Sequence, residues 1–415
     1  MQSTVKRLPF AAFLFVILSC SQPTPELKTG IWRGAIIMQG HELPFNIDIL
    51  QTPTGSYTAS IHNGDERILM DEVSVQGDSM MMMLPTFDAG FKVAIRGDSL
   101  RGRFVINYTA GYSLPFSAAF GQGYRFVPSD TVTATTVDFS GTYDVQFFNE
   151  NNTVSAMGVV TQKGNHATGT FLTPTGDYRY LEGNVVHDTL WLSTFDGNHI
   201  YLFNAAKVND STIQGIHWLG RTRFRKWEGI RNANARPPES ESLTYLNKGY
   251  DRIDFSFPDV NGKVISSRDE RFANKVVIIQ ILGSWCPNCM DETRFLADWY
   301  KNNRERGVEV VGLAYEQKED FVYASQRVKK MKEKLGVLYD VLIAGVSDNK
   351  KASATLPALN AVISFPTTIF IGKDGKVKHI HTGFSGPGTG IYYEQMKEKF
   401  NQAVNDCLAG DQDIK

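Results

Sequence analysis

The stretch Val276-Val277-Ile278-Ile279-Gln280-Ile281-Leu282-Gly283-Ser284-Trp285-Cys286-Pro287-Asn288-Cys289 decides how the chain is read. Lys275 to Leu282 is a nearly continuous apolar run, the composition of a central strand buried on both faces. Gly283 and Ser284 interrupt it, and from Asp291 to Arg304 the residues Phe295, Leu296, Trp299 and Tyr300 recur at helical spacing. Cys286 therefore stands where a strand hands over to a helix. There it meets backbone N–H groups without intrahelical partners and the positive end of the helix dipole, both of which favour a thiolate. Pro287 suits the first helical turn, where its missing N–H would have had no partner. Cys289 lies one turn in, within reach to attack a mixed disulfide on Cys286. The pair reads as an acidic, exposed nucleophile with a resolving thiol. Two other readings of the spacing exist. A zinc site needs four ligands and the chain offers no second pair, and a static disulfide is uncommon at a helix start.

Downstream, Val308 to Tyr315 reads as a second buried strand, Asp320 to Leu335 as a charged helix and Tyr339 to Ala344 as another strand. Thr367 to Ile371 and Lys376 to Thr382 form a pair around Asp374-Gly375, and Tyr392 to Leu408 closes the chain as an amphipathic helix ending at Gly410. Upstream, Phe255-Ser256-Phe257 and Val264-Ile265 around Asn261-Gly262 make a lead-in hairpin. Residues 251–410 thus follow an α/β plan. Phe365-Pro366-Thr367-Thr368 precedes one of its strands. A cis proline there can turn neighbouring backbone groups toward an extended peptide, although an ordinary edge-strand proline is commoner.

Residues 30–230 read differently, as short strands punctuated by Gly, Asn and Asp. Leu43, Phe45, Ile47 and Ile49 alternate with Asn46 and Asp48, the period of a half-buried strand. Lys163-Gly164-Asn165 is a hairpin signal. The region is also duplicated. Gly64-Asp65-Glu66-Arg67, Leu84-Pro85-Thr86-Phe87-Asp88 and Asp98-Ser99-Leu100-Arg101-Gly102 return in the same order at a spacing of about 110 residues. Their echoes are Gly176-Asp177-Tyr178-Arg179, Leu192-Ser193-Thr194-Phe195-Asp196 and Asp210-Ser211-Thr212-Ile213-Gln214-Gly215. Two all-β repeats, 30–127 and 137–230, each the size of a small barrel or sandwich, are expected, joined by Pro128 to Thr136. Residues 231–250, with Pro237-Pro238, read as a linker.

At the N-terminus, Lys6 and Arg7 precede the apolar run Leu8 to Leu18, then Ser19 and Cys20. This is the layout of a secretory signal over 1–19. Ile17-Leu18-Ser19-Cys20 resembles the lipobox of bacterial lipoproteins, which implies lipidation of Cys20, a tether over 20–29 and attachment to a membrane through the lipid. A plain signal peptide with an incidental cysteine is the alternative. Lys plus Arg number 43 against 44 for Asp plus Glu, so no net field favours nucleic acid, and no nucleic-acid partner is expected. Three cysteines besides Cys20 are too few for disulfides to be the main staple of the fold.

Val276 to Leu282, Gly283-Ser284-Trp285-Cys286-Pro287-Asn288-Cys289 and Ser364-Phe365-Pro366-Thr367-Thr368 together resemble the thioredoxin superfamily, in particular its TlpA and ResA-like envelope branch. The resemblance covers roughly Phe255 to Leu408 and implies a thioredoxin-like fold. It implies that Cys286 is the nucleophile, that Cys289 resolves, that Pro366 is cis beside them, and that Trp285, Phe365 and Thr367 border the bound substrate. Glu292 matches the ResA-like glutamate three residues after the second cysteine. It can carry a proton during exchange or simply serve as a solvated acid at the helix start. The buried aspartate of thioredoxin itself is replaced by Gln280.

The implied function is thiol-disulfide exchange on the periplasmic side of the cell envelope, in the reducing direction and with no cofactor or metal. Partners would be cysteine-containing envelope proteins, such as cytochrome c apoprotein, and a membrane electron donor. Two rivals stand beside it. One is a redoxin-type thiol peroxidase, against which Gly283 occupies the position such enzymes give to threonine. The other is a partner- or glycan-binding module with a secondary redox pair. Gly386-Pro387-Gly388-Thr389-Gly390 lacks the lysine of a phosphate loop and reads as a helix-start loop. His379 and His381 share a strand face without an acidic or cysteine partner nearby and read as surface or packing residues, and Met80 to Met83 alternate between faces. Neither set reads as a metal site. Cys407 falls with Phe400 and Val404 on an apolar stripe and reads as a buried structural thiol.

Overall fold

The computed structural model describes residues 26–128 and 137–410; the signal segment, Cys20 and the joining segment 129–136 lie outside the described residues. The first repeat is a nine-stranded antiparallel meander running from Gly30–Met38 to Ser113–Phe120. Its first strand pairs with both the second, His41–Gln51, and the ninth, which bends the sheet around its core. The fourth strand, Glu66–Met70, and the fifth, Glu72–Gln76, are consecutive but unpaired, so a seam is left there.

The second repeat also has nine strands, from Gly141–Phe148 to Arg223–Arg231. Here His166–Thr173 pairs with both Thr153–Lys163 and Leu181–Val186, and the last strand pairs with the first. Eight strands therefore close into a barrel, with the two-residue strand Gly176–Asp177 left on the outside. The three echoed sequence blocks fall at the start of the fourth strand, the end of the sixth and the turn between the seventh and eighth in both units. Both repeats are barrel-like, not sandwiches.

The two units share a core. Phe195, which ends the sixth strand of the second unit, is fully buried among rings of the first: 4.7 Å from Phe45, 4.9 Å from Phe104 and 5.5 Å from Phe91. Asn63 locks it by exchanging hydrogen bonds with the Phe195 backbone, at 2.9 Å to its carbonyl and 3.3 Å from its N–H. This contact changes one expectation. The alternation at Leu43 to Ile49 predicts a half-buried strand, yet Asn46 is buried too, because the outer face of that strand is covered. Ser193 and Arg125 both donate to the Pro44 carbonyl there, at 2.6 and 2.9 Å.

The α/β domain carries a five-stranded sheet. Its elements are β1 (Val276–Leu282), α1 (Pro287–Asn303), β2 (Val308–Glu316), α2 (Phe321–Leu335), β3 (Asp340–Val346), α3 (Asn349–Thr355), β4 (Thr367–Ile371), β5 (Val377–Thr382) and α4 (Ile391–Ala409). The strand order is β3-β2-β1-β4-β5, with β1, β2 and β3 parallel, β4 antiparallel to β1 and β5 antiparallel to β4. Every residue of β1 is buried, as its apolar run requires. The lead-in hairpin is Ser256–Pro258 with Val264–Ser266. Among the described residues no helix is long and apolar enough to cross a membrane.

One arginine ties the three units together. Arg179 sits in the left-handed region at φ 57° in the loop after Gly176–Asp177, and its guanidinium is buried. It pairs with Glu66 of the first repeat and with Asp291 of α1, lies 3.3 Å from Asp196 of its own unit, and donates to the Pro287 carbonyl at 3.0 Å. Removing one member of a buried ion cluster strands the others, at a cost of about 3–5 kcal/mol. Arg179→Ala is therefore expected to lower stability by about that amount at pH 8, and by less at pH 5, where the stranded carboxyls can take protons. Urea denaturation at the two pH values checks this; an unchanged midpoint at pH 8 would show that the cluster does not hold the units together.

Candidate active site

Cys286 is the N-cap of α1, with extended backbone at φ −97° and ψ 114°. The break at Gly283-Ser284 lets the chain leave β1 and turn into the helix with Pro287 in the first turn. Cys286 and Cys289 form a disulfide whose Cα atoms are 5.2 Å apart. The Cys286 Sγ accepts the backbone N–H of Cys289 at 3.1 Å, so one of the orphan donors of the helix start is spent on the sulfur. The Phe365–Pro366 bond is cis, and the Phe365 carbonyl oxygen lies 3.4 Å from the same sulfur. Phe365 packs 5.7 Å from the Trp285 ring, and the Trp285 indole donates to the Tyr315 carbonyl at 2.8 Å.

Behind the disulfide lie two buried acids. Glu292, only 3% exposed, accepts from Thr368 Oγ1 at 2.5 Å and from Gln280 Nε2 at 2.8 Å. Burial pushes its carboxyl up to about 7, and these two hydrogen bonds offset only part of that. Gln280, at the position where thioredoxin has its aspartate, uses its whole amide here, because its oxygen also accepts from Thr293 at 3.2 Å and from Tyr339 at 3.3 Å. Glu316 ends β2 and accepts from the Ser284 N–H and hydroxyl at 2.8 and 2.7 Å, two residues before Cys286. Burial pushes it to about 7 as well.

Several expectations need revising. The nucleophile is expected to be exposed, but Cys286 is 5% exposed. The Phe365 carbonyl and Cys289 cover the sulfur, and the second barrel packs beside them. Its loop at Thr175–Arg179 lies against α1 and the proline turn: Asn288 donates to the Asp177 carbonyl at 3.0 Å and Ser364 to the Thr175 carbonyl at 3.0 Å. Glycine lets the chains meet there. A Cβ at Gly383 would stand 2.6 Å from the Thr175 backbone, and one at Gly176 would stand 3.0 Å from the Asn288 amide. Thr367 is fully buried and donates to the Ser364 carbonyl at 2.9 Å, so it shapes the turn and does not face a substrate. The solvated reading of Glu292 fails because β1 and β4 enclose it.

The sequence reading missed Arg179, Asp177 and Glu316. An acid ending an otherwise apolar strand run was the available sign for Glu316; the burial of Arg179 had none, since its counterpart in the first repeat, Arg67, is exposed. Cys407 is a buried free thiol. His379 and His381 do have an acidic neighbour, Glu241, brought in by the linker. Burial pushes His381 down to about 4, which keeps its ring neutral at ordinary pH.

A strand-to-helix disulfide at a helix mouth, a cis proline beside it and a five-stranded β3-β2-β1-β4-β5 sheet define a thiol-disulfide oxidoreductase of the thioredoxin type. Residues 251–395 match the Redoxin family model and are similar to TlpA/ResA-like proteins of the thioredoxin superfamily; the two barrels lie outside that match. The thiol-disulfide oxidoreductase ResA of Bacillus subtilis (strain 168) is 28% identical over 138 residues, 33% of this chain and 69% of the relative. ResA of Halalkalibacterium halodurans is 25% identical over 156 residues, 38% of this chain and 76% of the relative. Among solved structures, a thioredoxin-family thiol:disulfide interchange protein from Chlorobium tepidum TLS is 22% identical, with 40% of this chain and 99% of that chain covered and a TM-score of 0.30.

Because the folded value of Glu292 lies above the ordinary carboxylate value of 4.5, ionising it opposes folding. Stability is thus expected to fall as pH rises from about 4.5 to about 7, on the order of 3 kcal/mol for this group. Glu316 adds a parallel loss, so Glu292→Gln should keep part of the decline and remove the rest. Urea midpoints at pH 5 and pH 8 test this, and parallel profiles for the parent protein and the variant would refute the assignment.

Proposed function

We propose that the protein passes two electrons to disulfides of envelope proteins through Cys286 and Cys289, from a lipid anchor at Cys20 on the outer side of a membrane. The reduced Cys286 thiolate attacks a partner disulfide; a mixed disulfide forms and the partner's other sulfur leaves as a thiolate. Cys289 then attacks Cys286, releasing the partner as a dithiol and leaving the Cys286–Cys289 disulfide. A membrane-bound dithiol donor of the same chemical class returns the pair to the reduced state. No cofactor is needed. Apocytochrome c cysteines are one substrate class consistent with the relatives named ResA.

The observation that carries this reading is the Cys289 N–H donated to the Cys286 sulfur at 3.1 Å, because that bond strengthens when the sulfur becomes an anion. In this reading Glu292, three residues after Cys289 on α1, takes up the proton that the buried Cys289 must lose before it can attack, which its carboxyl near 7 supports. With the second barrel covering the Asn288 and Ser364 side, a partner approaches along the half-buried rings of Trp285 and Phe365.

In cells making the full-length Cys289→Ala variant, partner proteins are expected to accumulate as mixed disulfides on Cys286 and to be released by reductant, whereas Cys286→Ser should trap none. Mass spectrometry of the trapped species reads the outcome. If Cys289→Ala captured nothing while its Cys286 could be alkylated, exchange with proteins would be ruled out as the function.

A further inference from the structure

A cavity lies between the second barrel, the linker and the α/β domain. It holds about 560 Å³ and is walled by the second barrel at Thr173 to Gly176, by the linker at Arg236 to Glu241 and by the α/β domain. Glu292, Thr368, His379, His381 and Glu241 all line it, with Thr368 directly across the β4–β5 ladder from His381. The two histidines are i and i+2 on β5, so their rings project from one face of the strand. The linker crosses that face and is fixed immediately afterwards: Thr382 donates to the Thr244 hydroxyl at 2.9 Å, and Asn360 binds both the Leu243 carbonyl at 3.0 Å and the Tyr245 N–H at 2.9 Å. Glu241 is thereby delivered to the histidines. One ligand atom from each of the three residues lies within 4.8 Å of the other two, the one such group among the described residues. Neither imidazole has a hydrogen bond among the described residues; the only ring contact is that of His379 with Phe370 at 5.6 Å.

We propose that Glu241, His379 and His381 form a binding site for a divalent transition metal of the zinc class, at the mouth of the cavity that leads to Glu292. Two imidazoles and one carboxylate suit zinc, cobalt, nickel or copper, whereas calcium and magnesium take six or more oxygens. Three protein ligands leave a fourth position open to water or to a ligand in the cavity. The bound ion ties the linker to the edge strand β5 and so fixes the second barrel relative to the redox centre. The site is independent of the exchange reaction, since it contains neither cysteine.

The test uses the full-length protein, oxidised so that Cys286 and Cys289 cannot ligate. Titration with Zn²⁺, followed by calorimetry, should show one saturable site with micromolar or tighter affinity. Co²⁺ should give visible bands of a four- or five-coordinate ion that Zn²⁺ displaces. Since losing even an outer-shell partner of a ligand costs about 10–100-fold, His379→Ala and His381→Ala should each weaken binding at least about 100-fold, and Glu241→Gln about 10-fold. Glu241 is exposed, so its variant reports on binding without disturbing the core. Thermal unfolding without metal should match the parent for that variant, while Zn²⁺ should raise the midpoint of the parent by more than that of the variant. An absence of saturable binding, or binding that survives unchanged in the His379→Ala/His381→Ala double variant, would overturn the site.

Discussion

The buried guanidinium of Arg179 is the constraint on which the arrangement of this protein depends. A charge removed from water is tolerated only where its partners surround it, and its partners here belong to three different units: Glu66, Asp196 and Asp291. Each carboxylate bears a burial cost of its own. Burial pushes Asp177 up to about 6, and it raises Glu66 in spite of Arg179. Burial works on Asp196 in the same direction, but His199 and Arg179 together hold it below the ordinary carboxylate value. Such a cluster adds little net stability compared with apolar packing, but it allows one relative placement of the units. Since Arg179 also caps the Pro287 carbonyl and pairs with α1, that placement is made at the helix that carries the cysteines.

Duplication supplied the material for the interface and divergence gave it a direction. Phe195 and Phe87 occupy equivalent positions, yet Phe195 enters the core of the neighbouring unit among Phe45, Phe91 and Phe104. The same asymmetry holds for Arg67, which is exposed, and Arg179, which is buried. The first unit keeps a seam between its fourth and fifth strands, whereas the second closes through the pairing of His166–Thr173 with Leu181–Val186. The first unit docks on α2 as well, where Asp88 accepts from Tyr323 at 2.9 Å and lies 3.6 Å from Arg327. The barrels are therefore walls of the redox domain on two sides and not a distant appendage.

That enclosure sets the chemistry. A thiol pair at an open helix mouth is reached from many directions, but here Asn288 and Ser364 are engaged by the loop at Thr175–Asp177, while the half-buried Trp285 and Phe365 rings pack on each other. Exclusion of water also raises Glu292 and Glu316 into the neutral range, where a carboxyl can hold a proton or give it up. The fold thus puts one buried carboxyl on the helix that carries the cysteines and bonds the other to Ser284, two residues before Cys286.

Local pattern alone determined much of this. The apolar run of β1, the break at Gly283-Ser284 and the helical spacing after Cys289 define a strand-to-helix cysteine pair whatever the rest of the chain does, because strand and helix periodicity are properties of neighbouring residues. The repeat was legible for a similar reason, since its three blocks mark turns and strand ends. What the sequence left open was which surfaces would be covered. The burial of Cys286, Thr367 and Glu292, the pairing of Arg179 and the approach of Glu241 to His379 and His381 all arise from contacts between residues far apart in the chain. No local pattern encodes such contacts. Tertiary structure decided them by matching charge to buried charge and glycine to close backbone approach, and it set the redox domain against both barrels.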